Sequence, residues 1–169
     1  PRAGSAGLMT EVIKVGMADW KIAHSGAVLK TTGLGSCVGL TLYDAVERIA
    51  GMAHIMLPSS EIAREMPFNR AKYADTALPD MLEAMVAAGA SRRRLVAKLA
   101  GGAQMFAFAG QDTMRIGPRN VETCKLMLEK LGIPLAAEDT GSNYGRTIEL
   151  DSATGILIIR SIQYGTKEL

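Results

Sequence analysis

Short segments in which apolar residues alternate with polar or small ones run along most of the chain. This alternation is typical of half-buried β-strands. The segments predict strands at 13–17, 27–29, 38–43, 49–57, 95–100, 135–138, 147–150 and 156–162. The third and fourth are separated only by the mostly polar residues 44–48, so we expect them to form a β-hairpin. Residues 31–37 and 58–69 have the composition of loops.

Two longer segments repeat apolar residues at helical spacing. On residues 71–88 the apolar side chains fall on one helix face: Leu78, Met81, Leu82, Met85 and Val86. Pro79 lies inside this segment and predicts a kink or a break near Thr76, because proline lacks the N–H that a helix interior needs. A second helix is predicted at 120–131 and ends at Gly132. Strands in hairpins together with two long helices favour an antiparallel or mixed sheet with helices on one face.

Composition limits the class of protein. The chain has 169 residues, 48% of them hydrophobic and 21% charged, which is ordinary for one globular domain and excludes a mainly disordered chain. We expect residues 1–8 to be a leader foreign to the fold and residues 9–169 to form a single domain. A net charge of +2 and 5% aromatic residues argue against a nucleic-acid-binding protein. No apolar run reaches the roughly 18 residues that span a bilayer, and two cysteines make no disulfide framework, so we expect a cytoplasmic protein without membrane insertion.

The segment 35–39, Gly-Ser-Cys-Val-Gly, has the pattern of a nucleophile between small residues, with Cys37 as the nucleophile. Small neighbours let backbone N–H groups approach a substrate carbonyl and stabilise an oxyanion. A thiol needs a base or a positive charge nearby to react at neutral pH, and the chain's two histidines are His24 and His54. The predicted hairpin would bring His54 close to Cys37. The alternative is structural, since such a cysteine is often an apolar core residue and such a histidine is often bonded to the backbone.

Other sites with known sequence signatures do not fit. Residues 33–35 are not followed by the third glycine of a dinucleotide-binding loop, and the chain has no Gly-Lys-Ser/Thr of a phosphate-binding loop. Two Cys and two His at scattered spacings do not form a zinc motif, so we expect no metal and no cofactor. A small α/β-hydrolase requires a helix directly after the nucleophile, whereas residues 38–43 alternate like a strand.

Seven sequence blocks lie in order between Val12 and Ile162: Val15–Ala18, Gly33–Cys37, Gly51–Pro58, Lys72–Ala77, Lys98–Phe106, Ile116–Asn120 and Ala137–Gly141. Together they resemble the CheD family, the chemoreceptor glutamine deamidases of bacterial and archaeal chemotaxis. One block alone would be weak, but seven in order over most of the chain are specific. One departure is Ser142, which stands where relatives often carry a second glycine after Asp-Thr-Gly.

The resemblance implies an α+β fold: a layered α/β/β sandwich of two mainly antiparallel sheets with outer helices, similar to the catalytic core of glutamine-deamidating toxins. It also implies a catalytic set of one Cys, one His and one Thr, which fall on Cys37, His54 and Thr31. Because the Thr is placed by counting back from the Cys, the adjacent Thr32 stays open as the alternative third residue. Ser36 and Gly35 would bind the substrate and its oxyanion.

The implied reaction is hydrolysis of specific glutamine side chains to glutamate on methyl-accepting chemoreceptors, with release of ammonia and without a cofactor. The implied partners are the cytoplasmic helices of the receptor, as substrate, and a CheC-type phosphatase of the response regulator CheY. The alternative function is mainly that of a regulatory binding partner of this phosphatase. The complete Cys-His-Thr set favours an active enzyme.

Overall fold

Two five-stranded sheets lie face to face in the residues that the computed structural model describes, 10–105 and 115–169. The predicted leader, residues 1–8, lies outside them. The first sheet contains, in spatial order, β1 (Val12–Lys14), β3 (Val28–Leu34), β8 (Arg146–Asp151), β9 (Leu157–Ser161) and β10 (Gly165–Glu168). The second sheet contains, in spatial order, β2 (Asp19–Ala23), β5 (Ile49–Ile55), β4 (Val38–Asp44), β6 (Val96–Gly101) and β7 (Leu135–Thr140).

Two α-helices, α1 (Ala74–Ala87) and α2 (Ile116–Leu131), pack on the second sheet within the described part of the chain. Single 3-10 turns lie at Ser60–Ile62, Arg70–Lys72 and Arg92–Arg94. Helices, second sheet and first sheet thus form three layers, with one apolar core beneath the helices and another between the sheets. This confirms the layered α/β/β sandwich. Neighbouring strands are mostly antiparallel, while the pairs β1–β3 and β6–β7 are parallel. None of the described helices is both long and apolar enough to cross a membrane.

The hairpin of β4 and β5 is buried on both faces, and the alternation of its side chains decides which layer each one meets. The residues that pack beneath the helices are Val38, Leu40, Leu42, Ala53 and Ile55. Tyr43, Ala50 and Met52, on the same two strands, belong to the core between the sheets. His54 follows Met52 by two positions, so its side chain faces the first sheet.

A buried carboxylate fixes the turn of this hairpin. Asp44 ends β4 and accepts hydrogen bonds from the backbone N–H groups of Val46, Glu47 and Ser91 and from the guanidinium of Arg94. Burial would raise the pKa of Asp44, but Arg94 and the three N–H groups hold it well below its usual range. The hairpin is therefore tied to the segment before β6, and both of its strands are held in register.

The structure confirms the predicted hairpin and both helices, although α2 begins four residues earlier than predicted, at Ile116, and the first helix also differs from its prediction. The predicted break near Thr76 is wrong, because α1 runs without interruption from Ala74 to Ala87. The helix begins three residues later than predicted, which places Pro79 in its second turn. Buried apolar side chains on both sides of Pro79, including Leu78 and Met81, hold this segment against the second sheet.

The sequence pattern missed two strands and shortened a third. β2 is an edge strand of the second sheet, and β10 is an edge strand of the first. Edge strands are less buried, so the alternation of apolar and polar residues along them is weaker. Residues 31–34, predicted as loop, are the end of β3. There the pairing with β8 shifts register between Thr31 and Leu34, and Gly33 adopts a positive φ of 72°. Thr31 therefore belongs to β3 of the first sheet, and its side chain faces the second sheet.

Candidate active site

Cys37 lies directly before β4, in the tight connection that leads from β3 in one sheet to β4 in the other. Its side chain is 8% exposed and belongs to the core between the sheets. Its carbonyl oxygen accepts a hydrogen bond from the N–H of Gly102 at 2.8 Å. Gly101 has a φ of 100°, and a Cβ built there would overlap the same carbonyl oxygen, so glycine is required at this position. The end of β6 thus fixes the backbone of the candidate nucleophile.

His54 is fully buried on β5, directly opposite Gly39 of β4. Gly39 follows Cys37 by two positions, so Cys37 is the diagonal neighbour of His54 across the antiparallel pair. Such diagonal neighbours lie about 7–8 Å apart, within reach of a long or aromatic side chain. Side chains of the first sheet pack directly on Gly39, since a Cβ built there would overlap Cδ1 of Ile148 and lie 3.1 Å from Cδ1 of Leu34. Cys37 and His54 thus lie on the same face of the hairpin, the face that the first sheet covers.

Thr31 reaches His54 from the first sheet. Its Oγ1 lies 2.7 Å from Nδ1 of His54 and 2.7 Å from the carbonyl oxygen of Val15. A threonine hydroxyl has one hydrogen, which it donates to Val15 because a carbonyl can only accept. Oγ1 must then accept from Nδ1–H of His54, and this leaves Nε2 of the neutral ring without a proton. Thr32, the alternative from the sequence, is exposed to solvent.

The other histidine lies elsewhere. β2 runs antiparallel to β5, with Asp19 opposite His54 and Ala23 opposite Ala50. His24 therefore lies at the far end of this strand pair, where it is exposed and its Nδ1 is 2.9 Å from Oγ of Ser25. His54, and not His24, therefore lies on the same side of the hairpin as Cys37.

Burial keeps the candidate pair uncharged at rest. It raises the pKa of the Cys37 thiol above its ordinary value of 9.0 and lowers the pKa of His54 below 6.5. Both shifts favour thiol and neutral imidazole over thiolate and imidazolium. Among the described residues, Nε2 of His54 is buried and has no hydrogen-bond partner, which leaves its lone pair free to accept a proton.

Alkylation by iodoacetamide should separate the two cysteines in the folded protein. Cys124 is fully buried on α2, and burial raises its pKa to about 12. We expect Cys37 to react faster by on the order of tenfold or more, because it is 8% exposed whereas Cys124 is not exposed at all. The rate at Cys37 should keep rising above pH 9, since its pKa is also raised. Mass spectrometry of labelled peptides measures both rates, and equal or preferred labelling of Cys124 would contradict the assignment.

The predicted oxyanion residues differ in what their backbone offers. The N–H of Gly35 donates to the carbonyl of Gly33 at 3.1 Å, so it is already engaged. The carbonyl of Gly35 accepts from Ala103, and a Cβ at Gly35 would lie 3.3 Å from Cγ of Met105. The absence of a side chain at Gly35 thus allows the side chain of Met105 to pack closely against this part of the backbone. Ser36 lies in the same connection, directly before Cys37.

Sequence reasoning missed three contributions to the site. Asn120 of α2 donates from Nδ2 to the carbonyls of Ser36 and Met56, each at 3.0 Å. Gly101 and Gly102, which directly follow the predicted strand 95–100, hold the carbonyl of Cys37. The sequence signals available were the Gly-Gly pair and a polar residue on an otherwise apolar face of α2.

Within the described residues, no group of three or more His, Cys, Asp or Glu side chains is arranged to hold a metal ion.

Two solved structures share this architecture. A Neisseria meningitidis protein, NMB0706 of the family model DUF152, matches with a TM-score of 0.50 and 13% identity over 79% of this chain and 64% of its own. The Bacillus licheniformis hypothetical protein YfiH matches with a TM-score of 0.50 and 14% identity over 74% of this chain and 51% of its own. The chain spans less than two thirds of either protein, and at these identities the likeness shows the fold alone. The class is thus a layered α+β protein with a Cys, a His and a Thr gathered between its two sheets.

The sequence comparisons are more specific. A family model described as CheD chemotactic sensory transduction matches residues 56–161. A Halalkalibacterium halodurans protein named chemoreceptor glutamine deamidase CheD is 54% identical over 162 residues, which cover 95% of this chain and 100% of that protein. A Bacillus subtilis protein of the same name is 48% identical over 94% of this chain and 96% of its own length. The chain therefore belongs to the CheD family, as the seven sequence blocks indicated.

Proposed function

We propose that this chain hydrolyses glutamine side chains of chemoreceptors to glutamate, with Cys37 as nucleophile, His54 as general base and acid, and Thr31 as the group that orients His54. The observation that carries this proposal is the hydrogen-bonded series from Val15 through Thr31 to His54, which leaves Nε2 unprotonated on the face shared with Cys37. Relatives named chemoreceptor glutamine deamidases support the substrate class.

The first half of the reaction forms a thioester. Nε2 of His54 takes the thiol proton as Sγ of Cys37 attacks the carbon of the substrate carboxamide, and a tetrahedral oxyanion forms. We assign the stabilisation of this oxyanion to the backbone N–H groups of Ser36 and Cys37. The imidazolium then gives its proton to the amide nitrogen, the C–N bond breaks, and ammonia leaves.

The second half restores the thiol. His54 takes a proton from a water molecule that attacks the thioester carbonyl, and the C–S bond breaks as the proton passes to the sulfur of Cys37. One water is consumed, and the carboxamide has become a carboxylate. Thr31 is a neutral hydroxyl, so it orients the ring but stabilises the imidazolium less than a carboxylate would. This fits a pair that is neutral at rest and charged only during the reaction.

The surface beside Cys37 suits a protein substrate. Met105 is 43% exposed and packs against Gly35, and methionine adapts readily to different apolar partners. Next to Gly102 lies a surface hollow of about 480 Å³, part of whose lining is apolar side chains of α2. We propose that a cytoplasmic receptor helix lies across this surface and directs one glutamine side chain at Cys37.

The experiment for the proposed function is incubation of this protein with a purified cytoplasmic fragment of a chemoreceptor. Mass spectrometry of the receptor peptides should detect the mass increase that marks conversion of a carboxamide to a carboxylate at specific glutamines. Ammonia should appear in equal amount. The fragment incubated alone corrects for spontaneous deamidation. If several receptor fragments stay unmodified at the rate of that control, the proposed function is wrong.

We propose further that a CheC-type phosphatase binds over the same surface. The hollow beside Gly102 and the exposed Met105 adjoin the connection that carries Cys37, so they favour one shared docking surface over two. Two proteins that share one surface exclude each other, and each lowers the apparent affinity of the other.

A competition assay tests the shared surface. With a fixed amount of receptor fragment, the deamidation rate should fall towards zero as a purified CheC-type protein approaches saturation. The apparent KM for the receptor should rise while kcat at saturating receptor is unchanged, because the competition is for binding. A deamidation rate that stays constant while calorimetry shows saturated partner binding would place the partner on another surface.

A further inference from the structure

Asn120 connects the two chain segments that carry the candidate catalytic side chains. It lies in the second turn of α2, and its side chain is completely buried. Nδ2 donates to the carbonyl oxygens of Ser36 and Met56, each at 3.0 Å. Both partners can only accept, so the orientation of the amide is fixed with its nitrogen towards them.

The two carbonyls lie just beyond the end of the β4–β5 ladder. The last pair of that ladder is Val38 and Ile55. Beyond it the strands separate, and Met56 turns away to donate its N–H to the carbonyl of Lys72 at 3.0 Å. Ser36 directly precedes Cys37, and Met56 follows His54 by two residues. Asn120 thus bridges the two strands at the point where their own hydrogen bonds stop.

The helix that carries Asn120, α2, packs closely against the segment that follows β6. A Cβ at Gly117 would overlap the carbonyl oxygen of Ala103, and a Cβ at Gly102 would overlap Val121. The segment 102–103 in turn binds the carbonyls of Cys37 and Gly35 through its N–H groups. The backbone around Cys37 is therefore held from β6 on one side and from α2 on the other.

The chemistry of the amide favours a role in positioning over one in stability. Among the described residues, Oδ1 of Asn120 is buried without a hydrogen-bond partner, which is unfavourable in itself. An apolar residue would avoid this penalty and would suit the buried face of α2, where Cys124 and Leu128 lie. What only the amide provides is two donors from a single nitrogen, directed at two strands.

We propose that Asn120 is a positioning residue that fixes the distance between Sγ of Cys37 and Nε2 of His54. The proposal rests on the proposed function, because it assigns Asn120 to the reaction of that pair. Proton transfer and attack depend steeply on geometry, and a displacement of about 1 Å can cost about 100-fold in rate. Asn120 does not touch the substrate in this proposal and acts only through the two segments.

The test compares kcat and KM of Asn120→Ala with those of the wild type on a receptor fragment. We expect kcat to fall about 100-fold while KM changes by less than about threefold, because the docking surface is intact and the catalytic pair is displaced. Asn120→Asp is the second variant. It keeps the shape of the side chain, but an ionised carboxylate cannot donate to the two carbonyls, so the same separation of kcat from KM is expected.

The matched control is Leu128→Ala on the same helix. Leu128 is buried in the core beneath the helices and lies about 12 Å further along α2. We expect it to lower the melting temperature at least as much as Asn120→Ala while kcat, measured well below melting, stays within about twofold. The positioning role is wrong if folded Asn120 variants keep the wild-type kcat, or if Leu128→Ala lowers kcat as much as they do.

The same assay separates this proposal from the proposed function. If the wild type deamidates the fragment, Cys37→Ala does not, and Asn120→Ala matches the wild type, only the positioning role fails. If Cys37→Ala is as active as the wild type, the thiol mechanism itself fails, whatever the Asn120 variants do.

Discussion

Replacing Cys37 by alanine should abolish deamidation while the protein stays folded. Without Sγ no thioester can form, and we expect the rate to fall by roughly 10⁴-fold or more, as for the loss of other covalent nucleophiles. The side chain of Cys37 is small and retains 8% exposure, so shortening it leaves only a small cavity. Circular dichroism and the melting temperature should therefore match the wild type within a few degrees. Mass spectrometry of receptor peptides measures the rate.

Cys124→Ala is the control for this result. Cys124 is fully buried in the core beneath the helices and has no role in the reaction, so its variant should keep the deamidation rate. Its stability should fall more than that of Cys37→Ala, because removing a fully buried sulfur leaves a cavity. Wild-type activity in Cys37→Ala, or loss of activity in Cys124→Ala at a temperature where it is folded, would overturn the assignment of the nucleophile.

The placement of Cys37 and His54 on one face of a hairpin could be predicted from the sequence because it depends on local structure. Residues 38–43 and 49–57 each alternate, a short polar connection joins them, and a hairpin is the simplest way to bury both. The cost of closing such a short loop is small, so local pattern and final structure agree. The same holds for α1 and α2, whose apolar faces are visible in the chain.

The third member of the site depends on contacts that no local pattern carries. Thr31 meets His54 only because β3 and β5 belong to different sheets that then pack together. The register shift after Thr31 breaks the alternation of β3, so the sequence could not tell which of Thr31 and Thr32 faces inward. In the folded structure Thr31 is buried and lies 2.7 Å from His54, whereas Thr32 is exposed, so the two threonines can be told apart.

Asn120 illustrates the same limit. It lies 83 positions after Cys37 in the sequence, on a helix that packs over the second sheet. Helical periodicity indicates that position 120 is near the start of a helix, but not that its amide reaches two carbonyls at the end of a distant hairpin. Its partners are backbone atoms, which leave no trace in the identity of the residues they belong to. Polar residues of this kind are found only from the folded structure.

His54 should control how deamidation depends on pH. Only neutral imidazole accepts the thiol proton, so kcat/KM must fall as the pH drops through the pKa of His54 in the free protein. Burial lowers that pKa, which means that the neutral form persists to lower pH and the acid limb of the profile lies below pH 6.5.

His54→Ala should lower kcat by about 10³-fold and remove this limb, because the titrating base is gone. His24→Ala, at the exposed end of β2, should keep both the rate and the limb. Profiles of kcat/KM between pH 5 and 8 are measured for the three proteins, and a His54→Ala profile with the wild-type limb would show that another group is the base.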